Sequence, residues 1–156
     1  MPRSVEPTIP ADSANPCPVA RSLDLIGDRW CLLIIRDAFD GIRRFGDFQR
    51  SLGVARNILA DRLRRLVEAQ VLLTRPTAEG SAYQEYVLSE RGERLFPLVV
   101  ALRQWGEAHL FAPGEAHSQL LDRERQLPLA PLQPCDAEGR PVLAGQTYVR
   151  KLGAPD

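Results

Sequence analysis

Between residues 45 and 70, apolar side chains recur at helical spacing on both sides of a single glycine. Phe45, Phe48 and Leu52 fall on one face of a short helix, and Gly53 breaks it. A longer helix is expected over residues 55–70, with Leu59, Leu63 and Leu66 on one face. A short helix, a turn at glycine and a longer helix form a helix-turn-helix pattern. Neither helix can bury its apolar face alone, so both need a common core.

The flanking segments supply it. Pro18–Ile26 reads as a short helix stopped by Gly27, and Asp28 is placed to cap the next one. That helix, Arg29–Phe39, is apolar on most sides through Trp30, Leu32, Leu33, Ile34 and Ile35 and reads as a buried central helix, ended by Asp40-Gly41. After the longer helix, residues 72–75 read as a strand, residues 76–81 as a loop around Gly80, and residues 83–88 as a returning strand. Ser89 is placed to cap a long last helix. Leu95, Val99, Leu102, Trp105 or Gly106, and His109 line one stripe of it, and Pro97 predicts a kink or a late start. The fold class is mainly α with a small β-hairpin, in the order of a winged helix-turn-helix.

Composition divides the chain of 156 residues into three parts. Residues 1–16 read as a flexible arm, 17–112 as the core domain, and 113–156 as a Pro-rich extension, irregular or carrying a small hairpin. Hydrophobic residues make up 44% and charged residues 26%, an ordinary globular mix. The arm has no apolar run of the kind a secretion signal needs, and the longest apolar stretch, residues 30–35, is too short to cross a bilayer. A cytoplasmic protein without a membrane partner is expected. Three widely spaced cysteines, Cys17, Cys31 and Cys135, do not make a disulfide framework.

The formal net charge is zero, so nucleic-acid binding cannot be argued from the whole chain. Locally the balance differs. Residues 43–75 hold eight arginines (43, 44, 50, 56, 62, 64, 65 and 75) against Asp47, Asp61 and Glu68, a balance of +5. The positive charge therefore coincides with the helix-turn-helix and the hairpin, the electrostatic footprint of a duplex-binding face. A solvated arginine-rich helix face is the competing reading.

On a helical wheel, the face opposite Leu59, Leu63 and Leu66 carries Asn57, Asp61, Arg64 and Glu68, with Ala60 at its side. The N-terminal residues of such a helix enter the major groove. Asn57 is suited to adenine, and Arg56 to guanine O6 and N7 or to phosphate. Asp61 is suited to a cytosine amino group or to holding an arginine. Arg62 lies nearer the core edge, and Arg64 and Arg65 are placed for backbone contacts. Arg43, Arg44, Arg75 and Tyr83 complete the candidate face.

These segments together resemble the HxlR-type regulators, relatives of the MarR group. The resemblance rests on Cys17-Pro18-Val19 through Leu25-Ile26-Gly27-Asp28-Arg29-Trp30, on Asp40-Gly41 with Arg43-Arg44-Phe45 and Phe48, and on Leu59-Ala60-Asp61-Arg62-Leu63 with Leu66. Tyr86-Val87-Leu88-Ser89 with Gly92, and Trp105-Gly106-Glu107, keep the same order. It spans residues 17–111. It implies a winged-helix homodimer that represses or activates genes, paired through Pro18–Ile26 and residues 92–111. Leu23, Leu95, Val99, Leu102, Trp105, Gly106 and His109 would then line the dimer interface. A two-fold dimer sets two recognition helices roughly 34 Å apart on a near-palindromic operator. Ala55 stands where the family opens its recognition helix with serine or threonine, and Tyr83 where the wing tip commonly carries a basic residue.

Cys17 occupies the position of a sensing cysteine in several such regulators. A thiolate beside a helix N-terminus is favoured by the helix dipole, so oxidants or electrophiles are expected effectors, with a small-molecule ligand at the dimer interface as the alternative. Cys31 reads as a small core residue. The run from Cys135 to Gly139 reads as a short hairpin with residues 140–149 returning, similar to a zinc-binding hairpin whose other cysteines are absent, so no metal is expected. His109 and His117 read as surface or interface residues. No phosphate-binding glycine loop, nucleophile elbow or paired metal motif is present, so neither an enzyme nor a cofactor is expected. A winged helix used only for protein contacts would lack the basic patch.

Overall fold

The computed structural model describes residues 15–78 and 82–152. The expected arm lies outside them except for Asn15 and Pro16, as do residues 79–81 of the expected hairpin loop. The chain divides into two units, residues 1–96 and 97–156.

The first unit holds α1 (Pro18–Ile26), α2 (Arg29–Phe39), α3 (Phe45–Leu52), α4 (Arg56–Glu68), strands β1 (Leu72–Pro76) and β2 (Gln84–Leu88), and the one-turn α5 (Glu90–Glu93). Asp28 caps α2 as expected, its Oδ1 accepting from the Trp30 amide at 3.0 Å. Gly53 closes α3 with φ 61°, a left-handed conformation that glycine adopts without a Cβ penalty. Ile34 and Ile35 of α2, Phe48 of α3, and Leu59, Leu63 and Leu66 of α4 are buried together with Val71 and Leu72. The central helix and the three leucines therefore form the core that the periodicity predicts. Phe48 meets the Tyr86 ring edge-on, with centroids 6.4 Å apart.

The hairpin is antiparallel, running from Leu72↔Leu88 to Pro76↔Gln84. β1 extends one residue further than expected and β2 starts one residue later. Pro76 is tolerated because it sits at the strand end, where its missing N–H removes no interior ladder bond. Tyr83 is left exposed just before β2, its carbonyl accepting from the Thr77 amide at 3.2 Å.

The expected long last helix is two helices. Ser89 caps α5, its Oγ accepting from the Gly92 amide at 2.9 Å and donating to the Gln70 carbonyl at 2.5 Å. The chain then breaks at Arg94 and Leu95 before α6 (Phe96–His109). The cause is Pro97, whose ring in a continuous helix would meet the carbonyl four residues back, that of Glu93, where α5 ends.

In the second unit the extension lies along one face of α6. Arg103 donates to the Ser118 carbonyl and Oγ at 3.0 Å each. The Gln104 amide donates to the Ala130 carbonyl at 2.9 Å, and its oxygen accepts from the Leu132 amide at 2.7 Å. The face turned away from these contacts carries Leu98, Leu102, Trp105 and His109, with Trp105 59% exposed. The extension itself has little regular structure. Leu121 bridges Pro128 and Cys135 bridges Pro141, each around an Asp-initiated turn. The expected turn after Cys135 is present, but residues 140–149 do not return as a strand: a single 3-10 turn forms at Ala144–Gln146.

Candidate nucleic-acid interface

The candidate face gathers three chain segments. Arg44 stands at the N-cap position of α3, and the carbonyl of Arg43 accepts from the Tyr86 amide at 2.8 Å, which ties the loop before α3 to the second wing strand. Phe45, next in the chain, lies under the Arg56 guanidinium, 4.9 Å from the ring centroid. The starts of α3 and α4 and the base of the wing are thereby joined through backbone and cation–π contact.

Arg56, Asn57 and Ala60 are exposed on α4. Ala55 at the N-cap has extended backbone geometry and no side-chain cap, so the first-turn amides receive nothing from it. Further along α4 the arginines are engaged by acids. Arg64 bonds Asp61 at 2.7 Å and Glu68 at 2.8 Å. Arg62 bonds Asp61 at 2.7 Å and also bonds Asp28. Arg65 reaches the Asp24 carbonyl at 3.4 Å, Arg50 pairs with Asp47, and on the wing Arg75 faces Glu85 across the ladder at 3.4 Å.

The Arg64 and Arg62 hydrogen bonds hold the Asp61 carboxyl below the usual carboxylate range. Its holding of an arginine, one of its two expected roles, is the one seen in the structure. The partners Asp28 and Glu85 lie outside residues 43–75. Counting them in lowers the local excess from +5 to +3. Sequence reasoning missed both partners. Asp28 and Arg62 are 34 residues apart, with no local signal linking them.

Asp28 has two jobs, capping α2 and clamping α4. Burial pulls its carboxyl upward, but the hydrogen bonds from Arg62 and the Trp30 amide, with the charges of Arg62 and Arg65, outweigh that and lower it. A depressed carboxyl contributes stability that is present above the unfolded pKa of about 3.9 and is lost as pH falls through the folded value. The variant Asp28→Asn keeps an acceptor for Trp30 but loses the charge. It is expected to unfold at lower urea than wild type at pH 7, by about 1 kcal/mol, with the gap closing below about pH 4. A gap independent of pH would show that the clamp is not ionic.

Of the cysteines, Cys31 is buried on α2 and burial pushes its thiol up, which fits a core residue. Cys17 is exposed at the N-cap of α1, and its amide donates to Asn15 Oδ1 at 3.0 Å. Cys135 is exposed in the extension. Among the described residues no helix is long and apolar enough to cross a membrane.

Residues 25–113 match the model of the HxlR-like helix-turn-helix family. The chain belongs to that family. An uncharacterized HTH-type transcriptional regulator of Mycobacterium bovis, Mb3122, is 46% identical over 95 residues, covering 61% of this chain and 60% of the relative. The chain thus spans about three fifths of the mycobacterial protein. The crystal structure of PA1607, described as a candidate transcription factor, is similar at 52% identity and TM-score 0.84, covering 88% of this chain and 96% of that one. The redox regulator HypR in its reduced form is similar at 29% identity and TM-score 0.56, covering 60% of this chain and 94% of its own. The chain is accordingly built on a helix-turn-helix fold of the HxlR-like family, and the mycobacterial relative carries the name of a transcriptional regulator. Its extension continues past the family match and recurs in PA1607, given the share of both chains that aligns.

Proposed function

We propose that this regulator is a repressor that binds a near-palindromic operator as a cytoplasmic homodimer. The observation that carries the reading is the first turn of α4. Arg56 and Asn57 stand exposed there with no carboxylate partner among the described residues, while Arg62 and Arg64 are held by acids. In this reading Arg56 and Asn57 meet base edges, and Ala60 lets the helix approach closely. Arg43 and Arg44 anchor phosphates beside the wing, where Arg75 and Tyr83 add backbone contacts. Arg65 contributes to the same field, and Arg62, Arg64 and Asp61 brace the helix. The regulatory core is residues 17–112, preceded by an arm and followed by the extension.

Dimerisation is supported by α6, where Leu98, Leu102, Trp105 and His109 turn away from the extension, with Val99 and Gly106 on the same helix and Leu95 in the turn before it. Val19 and Leu23 are likewise exposed one turn apart on α1. The signal we assign is oxidation of Cys17. It is solvent-accessible at the N-cap of α1, and the similar protein HypR is a redox regulator.

Fluorescence anisotropy on duplex DNA from upstream of the regulator's own gene, with a scrambled duplex beside it, tests this. Arg56→Ala and Asn57→Ala are expected to weaken operator binding by roughly 10- to 100-fold and to relax preference at one base pair each. Arg43→Ala is expected to weaken both duplexes alike and to lower the salt slope by about 1. Oxidant treatment is expected to release wild-type protein and to spare Cys17→Ser. Equal affinity for operator and scrambled DNA would overturn sequence reading, and an unaltered oxidant response in Cys17→Ser would overturn the sensor.

A further inference from the structure

We infer that the second unit holds a binding site for a small uncharged alcohol, in the cavity between α6 and the extension. The inference stands apart from the DNA-binding reading. Every residue it uses falls within residues 97–156, and those from His117 to Leu129 lie beyond the family match.

Where the extension runs along α6 it leaves a cavity of about 110 Å³. Its lining is of two kinds. Val100 of α6 and Leu120, Pro128 and Leu129 of the extension are apolar. Arg103 and Glu107, one turn apart on α6, and His117 are polar, with side chains only 21%, 30% and 27% exposed. Arg103 spends Nη1 on the Ser118 carbonyl and Oγ, while its Nε and Nη2 donate to nothing among the described residues. Glu107 Oε1 stands 3.6 Å from Arg103 Nη1 and 3.9 Å from His117 Nδ1, outside hydrogen-bond distance of both. The carboxylate is thus answered in charge but accepts no hydrogen bond among the described residues. The imidazole is held in place by the Phe111 ring, with centroids 4.9 Å apart, and by the Ser118 carbonyl, 3.0 Å from Nδ1. A carbonyl only accepts, so Nδ1 carries a proton, and in the neutral ring Nε2 is left as an acceptor.

These groups select the ligand. A partly buried acceptor without a hydrogen bond is unfavourable, so a ligand that donates to Glu107 gains by it. Charge narrows the choice. A carboxylate ligand would face Glu107 and an ammonium would face Arg103, and like charges repel more strongly away from bulk water. A hydroxyl suits both side chains: its O–H donates to Glu107 and its oxygen accepts from Arg103. The volume and the apolar lining set the rest of the molecule. Benzene occupies an apolar cavity of about 150 Å³. At the same volume per carbon, 110 Å³ takes an aliphatic body of about four or five carbons, packed against Val100, Leu120, Pro128 and Leu129.

Titration of the isotope-labelled full-length chain, followed by amide NMR shifts, tests the site with three probes of equal chain length: n-butanol, butyrate and butylammonium. Saturable shifts at Val100, Arg103, Leu120 and Leu129 are expected for n-butanol, with a Kd of about 1 mM. Both ions are expected to bind about 10-fold more weakly. Leu129→Phe fills the cavity and is expected to abolish the n-butanol shifts, with far-UV circular dichroism confirming that the variant is folded. Glu107→Gln leaves the Arg103 charge unanswered. It is expected to weaken n-butanol about 10-fold and to strengthen butyrate about 10-fold, reversing the order of the two, which a purely structural role for Glu107 would not do. Shifts that stay linear with concentration, or that are alike for all three probes, would overturn the site. Undiminished n-butanol binding by folded Leu129→Phe would overturn its placement in this cavity. An unaltered order of probes in Glu107→Gln would overturn the selection of an uncharged ligand by Arg103 and Glu107.

Discussion

Phe48→Ala is expected to cost about 3–5 kcal/mol of stability, seen as a lower urea midpoint with an unchanged m-value. Phe48 is the one fully buried side chain of α3, and it meets Tyr86 of the wing. Removing a buried ring deletes its transfer free energy and leaves a cavity whose walls only partly collapse. The effect reaches the candidate interface. Phe45 under Arg56 belongs to the same short helix, so loosening α3 also loosens the start of α4. Operator affinity is therefore expected to fall with stability, at fixed protein concentration so that dimer mass action does not contribute. A loss below about 1 kcal/mol would mean that α3 is held by something other than this ring.

Gly92→Ala is expected to cost about 3 kcal/mol. A Cβ there would lie 2.1 Å from the Val71 carbonyl oxygen and 3.1 Å from Leu88 Cδ2. The Val71 oxygen already accepts from the Ser89 amide at 3.1 Å and the Ser89 Oγ at 3.2 Å. Any shift that relieves the contact pulls apart the junction between the loop after α4, the wing and α5. Gly46→Ala is the matched control. It lies within α3 with nothing inside 4 Å of the added carbon, so it should gain about 0.5–1 kcal/mol from helix propensity. Thermal unfolding of the two variants side by side separates backbone crowding from a generic response to alanine. Similar behaviour of the two would refute the crowding argument.

Much of this architecture can be read from residue order. Leu59, Leu63 and Leu66 are all fully buried, Asp28 and Ser89 cap the helices they precede, and Gly53 makes the turn in the left-handed conformation. These are local effects, set by spacing of three or four residues or by one backbone conformation, so they are visible in the sequence. What escaped it is non-local. The clamp between Asp28 and Arg62 depends on two helices meeting, and the balance of charge on the wing depends on Arg75 and Glu85 falling opposite each other in the ladder. The break between α5 and α6 lies between these cases. Pro97 announced a disturbance, but the disturbance acts one turn upstream, through the carbonyl that the ring excludes. The attachment of the extension to α6 through Arg103 and Gln104 has no signature at all, since either side chain reads as an ordinary solvated helix residue.

The paired arginines along α4 also bear on how the proposed regulator would find its site. Non-specific attraction to a duplex scales with the number of counterions a protein displaces, and a genome offers on the order of a million or more competing positions. Arg62 and Arg64 have much of their charge answered from within by Asp28, Asp61 and Glu68. Part of the cationic charge of α4 is therefore balanced from within the fold. On the proposed operator-binding reading, less of its population would be held on irrelevant DNA, and the ratio of operator to background occupancy would rise without any stronger contact at the operator itself.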